Sequence, residues 1–450
     1  MSETIHAVTT GAARAAVAVI RLSGPEAKRI AQSLCQKPLP QPRRAGLRRL
    51  VDREGALIDE ALVLVFAAPH SFTGEDVVEF HLHGGRAVVH GTLDALGRLG
   101  SRPATPGEFS RRAFENGRLS LLQAEGIADL VDADTEAQRR QALRQMTGGL
   151  DKVFLSWRAI LVRALSRLEA TIDFADEDLP EMVTAELRQT LVSLACELAE
   201  AAQDRRGEAV RDGFEVALIG APNAGKSTLF NALLHRDAAI VTAEPGTTRD
   251  VLQGELTLSG YRVVLLDTAG LRETGDVIER EGVSRARQRA EGADLRLLVV
   301  DGSCALSRSA VEAFDLVRAG DLVVLTKGDL GKLSSVANRA AALGTEVVQI
   351  SVAPGSAFHS AGHALLARVS ERVEKVLGGG ELPAVTRQRH RDILGRASEL
   401  LTHAANGFGG PVEFVIEDLR LATRCLDGLT GRIDVEDVLD DLFSSFCIGK

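Results

Sequence analysis

Nine consecutive residues, GAPNAGKST at 220–228, have the composition and spacing of a phosphate-binding loop. They satisfy the pattern G-x-x-x-x-G-K-[ST], follow an apolar segment typical of a buried strand and precede a helix-like run. In such a loop the backbone N–H groups and the helix N-terminus bind phosphate oxygens. Lys226 is expected to reach the β- and γ-phosphates and to assist catalysis, and Ser227 to bind Mg²⁺. The segment therefore predicts binding of a nucleoside triphosphate with its metal ion.

Two further motifs indicate which base is bound. DTAG begins at Asp267 after one apolar strand, and TKGD begins at Thr326 after another. A carboxylate at Asp329 can accept hydrogen bonds from guanine N1–H and the 2-amino group, which adenine does not offer. The spacing resembles the GTPase pattern D-x-x-G then N-K-x-D, except that Thr326 replaces Asn. Loss of that amide is expected to weaken the base contact and the tether to the phosphate loop by about 1–2 kcal/mol.

The residue that orients the attacking water is not settled by these motifs. Many small GTPases have Gln directly after D-x-x-G, but here the residue is Leu271, whose side chain cannot orient water. One alternative is a slow GTPase that acts only as a switch. The other is that Glu279, in the downstream run DVIERE, orients water, although a solvated charge on a helix explains the same residue.

Two strands are predicted in the first ~118 residues, at 15–22 and 75–83, because apolar and polar residues alternate there. The alternation places Arg21 and Glu79 on strands rather than in loops. This amino-terminal region is therefore expected to be a mixed, strand-containing domain.

One helix in this region has clear predicted ends. Thr105 is expected to be its N-cap and Glu108 to close a capping box, with Pro106 at the first helical position. Asn116 and Gly117 are expected to stop it.

The periodicity changes twice farther along the chain. Helical i, i+3, i+4 spacing begins near Leu119 and gives way to an α/β pattern that ends before a glycine run. The predicted fold class is α/β and α+β multidomain. It comprises a mixed β-rich domain at 1–118, a helical domain at 119–212 and 377–450, and an inserted Ras-like P-loop GTPase domain at 213–376.

Composition excludes several classes of protein. The 450 residues carry a net charge of -9, which argues against binding nucleic acid by charge alone. The five cysteines form no C-x-x-C pair, so neither a disulfide framework nor a zinc finger is indicated. No apolar run reaches the length of a membrane span, and the first residues lack the features of a secretory signal. The expected location is the cytoplasm, with no membrane partner.

The chain ends with the compact apolar segment FSSFCIGK, which carries one thiol, Cys447. Gly449 and Lys450 fit a prenylation signal badly. Two alternatives are open: Cys447 packs with Phe443, Phe446 and Ile448, as a buried cysteine often does, or it is a functional thiol.

The segments GAPNAGKST, EPGTTRD, DTAGLRE and FSSFCIGK together closely resemble the MnmE family, also called TrmE, of tRNA uridine-modification GTPases. SFTGEDVVEFHLHGG and PGEFSRRAFENGRLSLLQAE extend the resemblance into the amino-terminal domain, so that it covers essentially the whole chain. The phosphate-binding loop is common to many proteins, but the carboxyl-terminal octet is specific.

The resemblance implies a function. Members of the family act with the FAD-containing partner MnmG, in a heterotetramer, to modify C5 of the wobble uridine of certain tRNAs. A tetrahydrofolate derivative, 5-formyl- or 5,10-methylene-tetrahydrofolate, supplies a one-carbon unit, and the added group is aminomethyl or carboxymethylaminomethyl. The family forms homodimers through its amino-terminal, folate-binding domains. Its GTPase domains pair in the presence of K⁺, which also accelerates hydrolysis.

The resemblance also assigns residues by their position in the family motifs. Glu279 matches the family's catalytic glutamate, which favours a water-orienting role. The expected K⁺ ligands are Asn223, Thr242, Glu244 through its backbone, and Thr247, and the expected Mg²⁺ ligands are Ser227 and Thr248. The expected folate contacts are Arg21, Glu79, Arg118, which stands where the family often has Lys, and Lys450, with Cys447 as a candidate catalytic thiol. The expected GTP contacts are Asn223, Ala224, Gly225, Lys226, Ser227, Thr228, Thr242, Ala243, Glu244, Pro245, Gly246, Thr247, Thr248, Asp267, Thr268, Ala269, Gly270, Thr326, Lys327, Asp329, Ser351, Val352 and Ala353.

Two other functions compete with this one. A GTP-dependent RNA-binding or ribosome-assembly factor would be expected to carry a basic RNA-binding module, and none is visible in the sequence. A folate-dependent aminomethyltransferase with a regulatory GTPase domain would act without a flavin partner. Copurification with a flavoprotein and tRNA, or with ribosomal subunits, separates these possibilities.

Overall fold

The computed structural model describes residues 3–11, 15–173, 181–234, 252–267, 287–304, 306–327, 334–350, 358–379, 383–433, 436–444, 446 and 448–449. The chain divides into two compact units. The first comprises Met1–Ala128, Leu143–Cys196 and Arg396–Lys450, and the second comprises Asp129–Ala142 and Glu197–Gly395.

The first unit contains a six-stranded sheet of order β3-β4-β5-β2-β1-β6. All neighbouring strands are antiparallel except β1 and β6, which are parallel. The two strands predicted from alternation are confirmed as β2 and β5, which are adjacent. The strands are β1 Ile5–Val8, β2 Val17–Ser23, β3 Gly46–Val51, β4 Leu57–Phe66, β5 Val77–His83 and β6 Arg102–Pro103.

The two faces of this sheet are covered differently. Helices α1 (Ala27–Leu34) and α2 (Arg86–Arg98) lie on the face that holds the main cluster of buried residues, including Ile20 and Phe80. On the other face Ile5, Ala7, Ala104 and Phe109 form a smaller cluster. Arg21 and Glu79 belong to this second face, because they alternate with the buried residues of β2 and β5.

Helix α3 (Glu108–Glu115) begins later than the sequence predicts. Gly107 precedes it with φ 65°, and no side chain caps the helix. The backbone N–H of Thr105 does donate to Glu108 Oε2 at 2.9 Å, which is one half of a capping box. The predicted start at Pro106 was wrong because the left-handed glycine breaks the helical path. The predicted stop at Asn116 and Gly117 is confirmed.

The remainder of the first unit is helical, and some of these helices have residues in both units. In α6 the predicted helical spacing is confirmed, since Trp157, Leu161, Ala164 and Leu168 are all buried. The helices are α4 Leu121–Val131, α5 Glu136–Met146, α6 Gly149–Asp173, α7 Glu181–Gln203, α13 Gln388–Asn406, α14 Val412–Thr430 and α15 Glu436–Ser444.

The second unit contains a sheet of order β12-β11-β10-β7-β9-β8, parallel except for β8 beside β9. Hydrophobic clusters lie on both of its faces, which explains why the strands are nearly continuous apolar runs. The α/β class predicted for this region is confirmed. The strands are β7 Phe214–Ile219, β8 Leu252–Leu258, β9 Tyr261–Asp267, β10 Leu295–Asp301, β11 Leu322–Thr326 and β12 Glu346–Gln349; the helices are α8 Arg206–Asp212, α9 Lys226–Leu234, α10 Arg308–Phe314, α11 Ser334–Ala342 and α12 Phe358–Leu377.

The strand order of this sheet predicts a ligand site at the carboxyl ends of its strands. Strand β9 pairs with one side of β7 and the next strand, β10, pairs with the other side, so the strand order reverses at β7. Ligands of open parallel sheets bind at the carboxyl ends of the strands at such a reversal. The segment 220–225, Asp267 and Thr326 all lie at these strand ends.

Candidate functional site: a phosphate-binding loop and a buried ion pair

The loop between β7 and α9 has a backbone that binds an anion well. Gly220, Asn223 and Gly225 have φ values of 144°, 61° and 95°. A Cβ on Gly220 would lie 2.2 Å from the carbonyl oxygen of Val299, so only glycine fits there. The loop leads directly into the N-terminus of α9, where N–H groups lack intrahelical partners.

Lys226 is held inside this loop. Its side chain is buried, and Nζ donates to the carbonyl oxygens of Gly220 and Ala221, each at 2.8 Å. Burial lowers the pKa of Lys226 below its ordinary value, while the charge of Asp267 acts in the opposite direction. The ammonium group is thus positioned at the phosphate site by the loop itself.

The part of the site where a metal ion is expected contains residue types that can bind one. Ser227 and Thr228 are exposed in the first turn of α9, and Asp267 is completely buried at the carboxyl end of β9. Hydroxyl and carboxylate oxygens are ligands that suit Mg²⁺. Asn223 is exposed in the loop and can offer a side-chain oxygen to a cation. These residues fit a nucleotide with its metal ion.

Thr326 is tethered to the phosphate-binding loop. Its hydroxyl donates to the carbonyl oxygen of Ala224 at 2.7 Å, and the carbonyl oxygen of Val300 lies 3.2 Å away. The side chain is 1% exposed. A tether to the phosphate-binding loop is therefore made by a hydroxyl in place of the Asn amide, and the expectation that this tether is weaker stays a prediction. The effect of Thr326 on the base contact stays a prediction.

Lys327 follows with φ 52° and forms an ion pair with Asp301 at the end of β10. Asp301 also accepts hydrogen bonds from the backbone and side chain of Ser303. This pair fixes the start of the TKGD segment against the neighbouring strand.

Many predicted site residues lie outside the described part of the chain, and their roles stay predictions. They are Thr242, Ala243, Glu244, Pro245, Gly246, Thr247, Thr248, Thr268, Ala269, Gly270, Glu279, Asp329, Ser351, Val352, Ala353, Cys447 and Lys450.

Arg21 and Glu79 are brought together in the first unit. They are register partners on β2 and β5, and Arg21 Nε donates to Glu79 Oε1 at 2.9 Å. The guanidinium group lies 5.3 Å from the ring centre of Phe72 and 5.6 Å from that of Phe109. Both charged side chains are largely buried, so the rings and the low local polarity strengthen the pair. Sequence analysis did not identify these two rings, because both lie outside β2 and β5.

His81 extends this pair along β5. Its Nε2 is 3.7 Å from Glu79 Oε2. Arg118 is exposed, and its side-chain stem lies near Gly74, in the segment that also carries Phe72. Together these residues offer a carboxylate, cations and aromatic faces, which can hold a flat polar ring system.

A second charged group in this unit was also not identified. Arg112, which is 6% exposed, donates to Glu75 and Glu108, and Arg102 also donates to Glu108. Burial alone would raise the pKa of Glu108, but hydrogen bonds from Arg102, the Thr105 N–H and Arg112 lower it to about 2. The only signal in the sequence was the position of Glu108 in the predicted cap.

The carboxyl-terminal segment packs against the first unit in two places. Phe443 and Phe446 are buried beside residues of α4, with ring centres 5.3 Å apart. A Cβ on Gly449 would lie 2.3 Å from the carbonyl oxygen of Val8. Cys447 lies outside the described residues, so packing and a functional thiol both stay open for it, and the neighbouring Ile448 is 61% exposed.

Ile448 lines a cavity of about 1130 Å³ beside β1 and α2. Other lining residues are His6, Val8, Arg86, His90 and Arg98. The end of the chain is thus part of the wall of this cavity.

In the part of the chain that the structure describes, no group of three or more His, Cys, Asp or Glu side chains is arranged to hold a metal ion. None of the described helices is long and apolar enough to cross a membrane.

Comparison with known sequences gives matches over the full length of the chain. The family model of the MnmE helical domain matches residues 121–447, and that of the GTP-binding protein TrmE N-terminus matches residues 4–118. Three curated relatives, each named tRNA modification GTPase MnmE, align over the whole of both chains. They come from Phenylobacterium zucineum, with 53% identity over 455 residues, Caulobacter vibrioides, with 53% over 454, and Paramagnetospirillum magneticum, with 49% over 453.

Proposed function

Because the chain belongs to the MnmE family of tRNA modification GTPases, we propose that it hydrolyses GTP to support modification of the wobble uridine of tRNAs in the cytoplasm. In this proposal a flavoprotein partner of the MnmG type and a tetrahydrofolate one-carbon unit take part. The product carries an aminomethyl or carboxymethylaminomethyl group at C5. The observation that carries the proposal is the full-length similarity to relatives with this name, together with a complete phosphate-binding loop.

The nucleotide part of the proposal rests on the loop at 220–228. Its N–H groups bind phosphate oxygens, and Lys226 carries its positive charge to the β- and γ-phosphates. Mg²⁺ supplies charge neutralisation on the same oxygens, with Ser227, Thr248 and Asp267 as the residues that would hold it. The buried position of Lys226 supports this role, since water screens a buried charge less than an exposed one.

The catalytic part of the proposal assigns two further roles. Glu279 orients the attacking water, which Leu271 cannot do. A bound K⁺ supplies the positive charge that an arginine finger gives in other GTPases. Asn223, Thr242, Glu244 and Thr247 would hold it, and of these Asn223 lies in the described loop with φ 61°.

The folate part of the proposal rests on Arg21 and Glu79. Their paired charges between two phenyl rings suit the polar edge and flat face of a pteridine ring. Arg118 and Lys450 add positive charge for the carboxylates of the ligand. Two chains associate through this unit, and the contact between Gly449 and Val8 supports a location of the chain end in the same unit.

The dependence on K⁺ is tested by hydrolysis rates. Turnover of GTP should be at least tenfold faster in K⁺ than in Na⁺ at equal ionic strength, since one arginine finger is worth about 10³–10⁵. Asn223→Ala should remove the difference between the salts. Equal rates of the wild-type protein in both salts would contradict the role of K⁺.

The modification itself is tested by mass analysis of wobble uridines. Cells that lack this protein should lose the aminomethyl and carboxymethylaminomethyl groups at C5, and the wild-type chain should restore them. If the wobble uridines of these cells carry the same modifications as those of wild-type cells, the proposed function is wrong.

A further inference from the structure

The most basic stretch of the chain surrounds the edge strand β3. Residues 37–54 contain six basic and two acidic side chains, a net charge of +4 in a protein whose net charge is -9. Five of the basic residues are arginines on or beside β3, which is the outermost strand of its sheet. We call these five the arginine edge: Arg43, Arg44, Arg48, Arg49 and Arg53.

The charge of the arginine edge is mostly not neutralised. Arg49 forms an ion pair with Glu60 at 3.4 Å, and both side chains are about half exposed. Among the described residues, no carboxylate forms an ion pair with the other four arginines. The nearby Asp52 accepts hydrogen bonds from the N–H groups of its own turn.

The guanidinium groups are nevertheless held in place by carbonyl oxygens and by a ring. Arg43 donates to the carbonyl of His70 at 2.7 Å and lies 5.8 Å from the ring centre of Phe66. Arg48 donates to the carbonyl of Pro38 at 2.7 Å, and Arg53 donates to that of Arg98. Each guanidinium group has five N–H donors, so further donors remain for an external anion. Positioned but uncompensated arginines are typical of a surface that binds phosphates.

Protection of a sheet edge explains only part of this pattern. Charged residues on an edge strand prevent pairing with other chains. That function needs charges on the strand itself, whereas Arg43, Arg44 and Arg53 lie outside Gly46–Val51. Paired charges such as Arg49 and Glu60 would also protect the sheet edge.

We propose that the arginine edge binds the phosphate backbone of tRNA. The inference rests on the proposed function, which makes tRNA the substrate. Arginine binds phosphate with two parallel hydrogen bonds, and such contacts orient a nucleic acid without reading its sequence. The six residues of β3 span about 20 Å, enough to face several consecutive phosphates. The local positive charge also explains how a chain with a net negative charge contacts RNA.

The test compares tRNA binding over a series of salt concentrations. In the triple variant Arg43→Gln, Arg44→Gln, Arg48→Gln, the slope of log affinity against log salt should become shallower by about 2–3. The affinity near 0.15 M salt should fall about tenfold or more. The triple Arg→Lys variant should keep most of the slope, because the charges remain. Unchanged affinity and slope in the Gln variant would overturn the proposal.

A matched control removes the same charge elsewhere. Arg287, Arg308 and Arg368 are exposed in the second unit, and each pairs with a glutamate. Their triple Gln variant should bind tRNA like the wild type. An equal loss of binding in this control would mean that total charge, not the arginine edge, matters, and would contradict the proposal.

A single variant covers the case in which the triple Gln variant fails to fold. Arg44 is exposed, and Arg44→Glu should weaken binding several-fold and change the slope by about 1 or more. Thermal unfolding of each variant is measured in parallel. Wild-type binding by a folded Arg44→Glu variant would count against the arginine edge.

Three outcomes separate this inference from the proposed function. If the wild type binds tRNA and the folded Gln variant binds equally well, only the arginine edge is wrong. If the wild type does not bind tRNA and cells that lack it keep modified uridines, both are wrong. If the Gln variant loses binding to vesicles of phosphatidylserine but not to tRNA, the edge binds lipid headgroups and the RNA proposal is wrong.

Discussion

At the scale of single residues, Thr326 and Glu108 show how a side chain can differ in role from its motif. Thr326 replaces an amide with a hydroxyl and still reaches the phosphate-binding loop. Glu108 accepts the predicted capping hydrogen bond from the Thr105 N–H and also binds two arginines that the motif does not predict. In both cases the residue type is compatible with the motif, and the side chain has a partner that the motif alone does not predict.

The tether made by Thr326 can be tested without changing its volume. Thr326→Val removes the donor to the Ala224 carbonyl and should lower the free energy of unfolding of the second unit by about 1–2 kcal/mol. Bound GDP should also dissociate faster, because the loop is less restrained. Thr326→Ser keeps the hydroxyl and is the control. Denaturant unfolding and GDP release measure both effects, and identical values for Val and Ser variants would exclude the tether.

The low pKa of Glu108 predicts a pH dependence of stability. The folded-state pKa is about 2, below the ordinary 4.5, so the ion pairs stabilise the first unit fully above pH 4.5. This contribution, on the order of 2–3 kcal/mol, is lost as the pH falls from 4.5 towards 2. Glu108→Gln should therefore destabilise the unit at pH 7 and little at pH 2.5. Equal destabilisation at both pH values would show that packing, not charge, is responsible.

At the scale of elements, the positions of both candidate sites follow from strand order. The phosphate-binding loop lies where the strand order of the second sheet reverses, and Arg21 meets Glu79 because β2 and β5 are adjacent and in register. Glycine conformation then decides local fit. Gly220 permits β7 to turn into the loop beside the carbonyl of Val299.

Gly220→Ala tests this fit. The φ of 144° is a region used essentially by glycine and costs about 1–3 kcal/mol for other residues, and the added Cβ would clash with backbone. We expect nucleotide affinity to fall at least tenfold, as measured by GDP titration. Gly292→Ala, where no atom lies within 4 Å of the new Cβ, is the control. Normal GDP affinity of the Gly220 variant would contradict the geometry of the loop.

At the scale of the whole molecule, the two units carry separate parts of the proposed function. The described residues of the nucleotide site belong to the second unit, and its hydrophobic clusters are built from residues of that unit. Arg21, Glu79, the arginine edge and the chain end belong to the first unit. Changes in one unit should therefore separate hydrolysis from modification.

Deletion of residues 447–450 tests this separation. It should abolish wobble-uridine modification and weaken folate binding, yet leave GTP hydrolysis within about twofold, since the second unit does not use these residues for its core. Gly449→Ala should act in the same direction, because its Cβ would approach the Val8 carbonyl to 2.3 Å. Mass analysis of uridines and hydrolysis rates are the measurements. Full modification by the deletion variant would refute a functional chain end.

The sequence by itself determined the phosphate-binding loop, the α/β pattern around it, and the location of Arg21 and Glu79 on strands. Each of these features depends on a periodicity or a fixed spacing that lies within a stretch of fewer than about 20 residues. The domain boundaries, the K⁺ ligands, Glu279 and Cys447 stay predictions. Only the tertiary structure decided that Arg21 bonds to Glu79 between two rings, that Thr326 reaches Ala224 across 102 residues, and that Gly449 meets Val8. Such contacts join distant segments, and they are fixed by strand order, register and burial rather than by any local pattern.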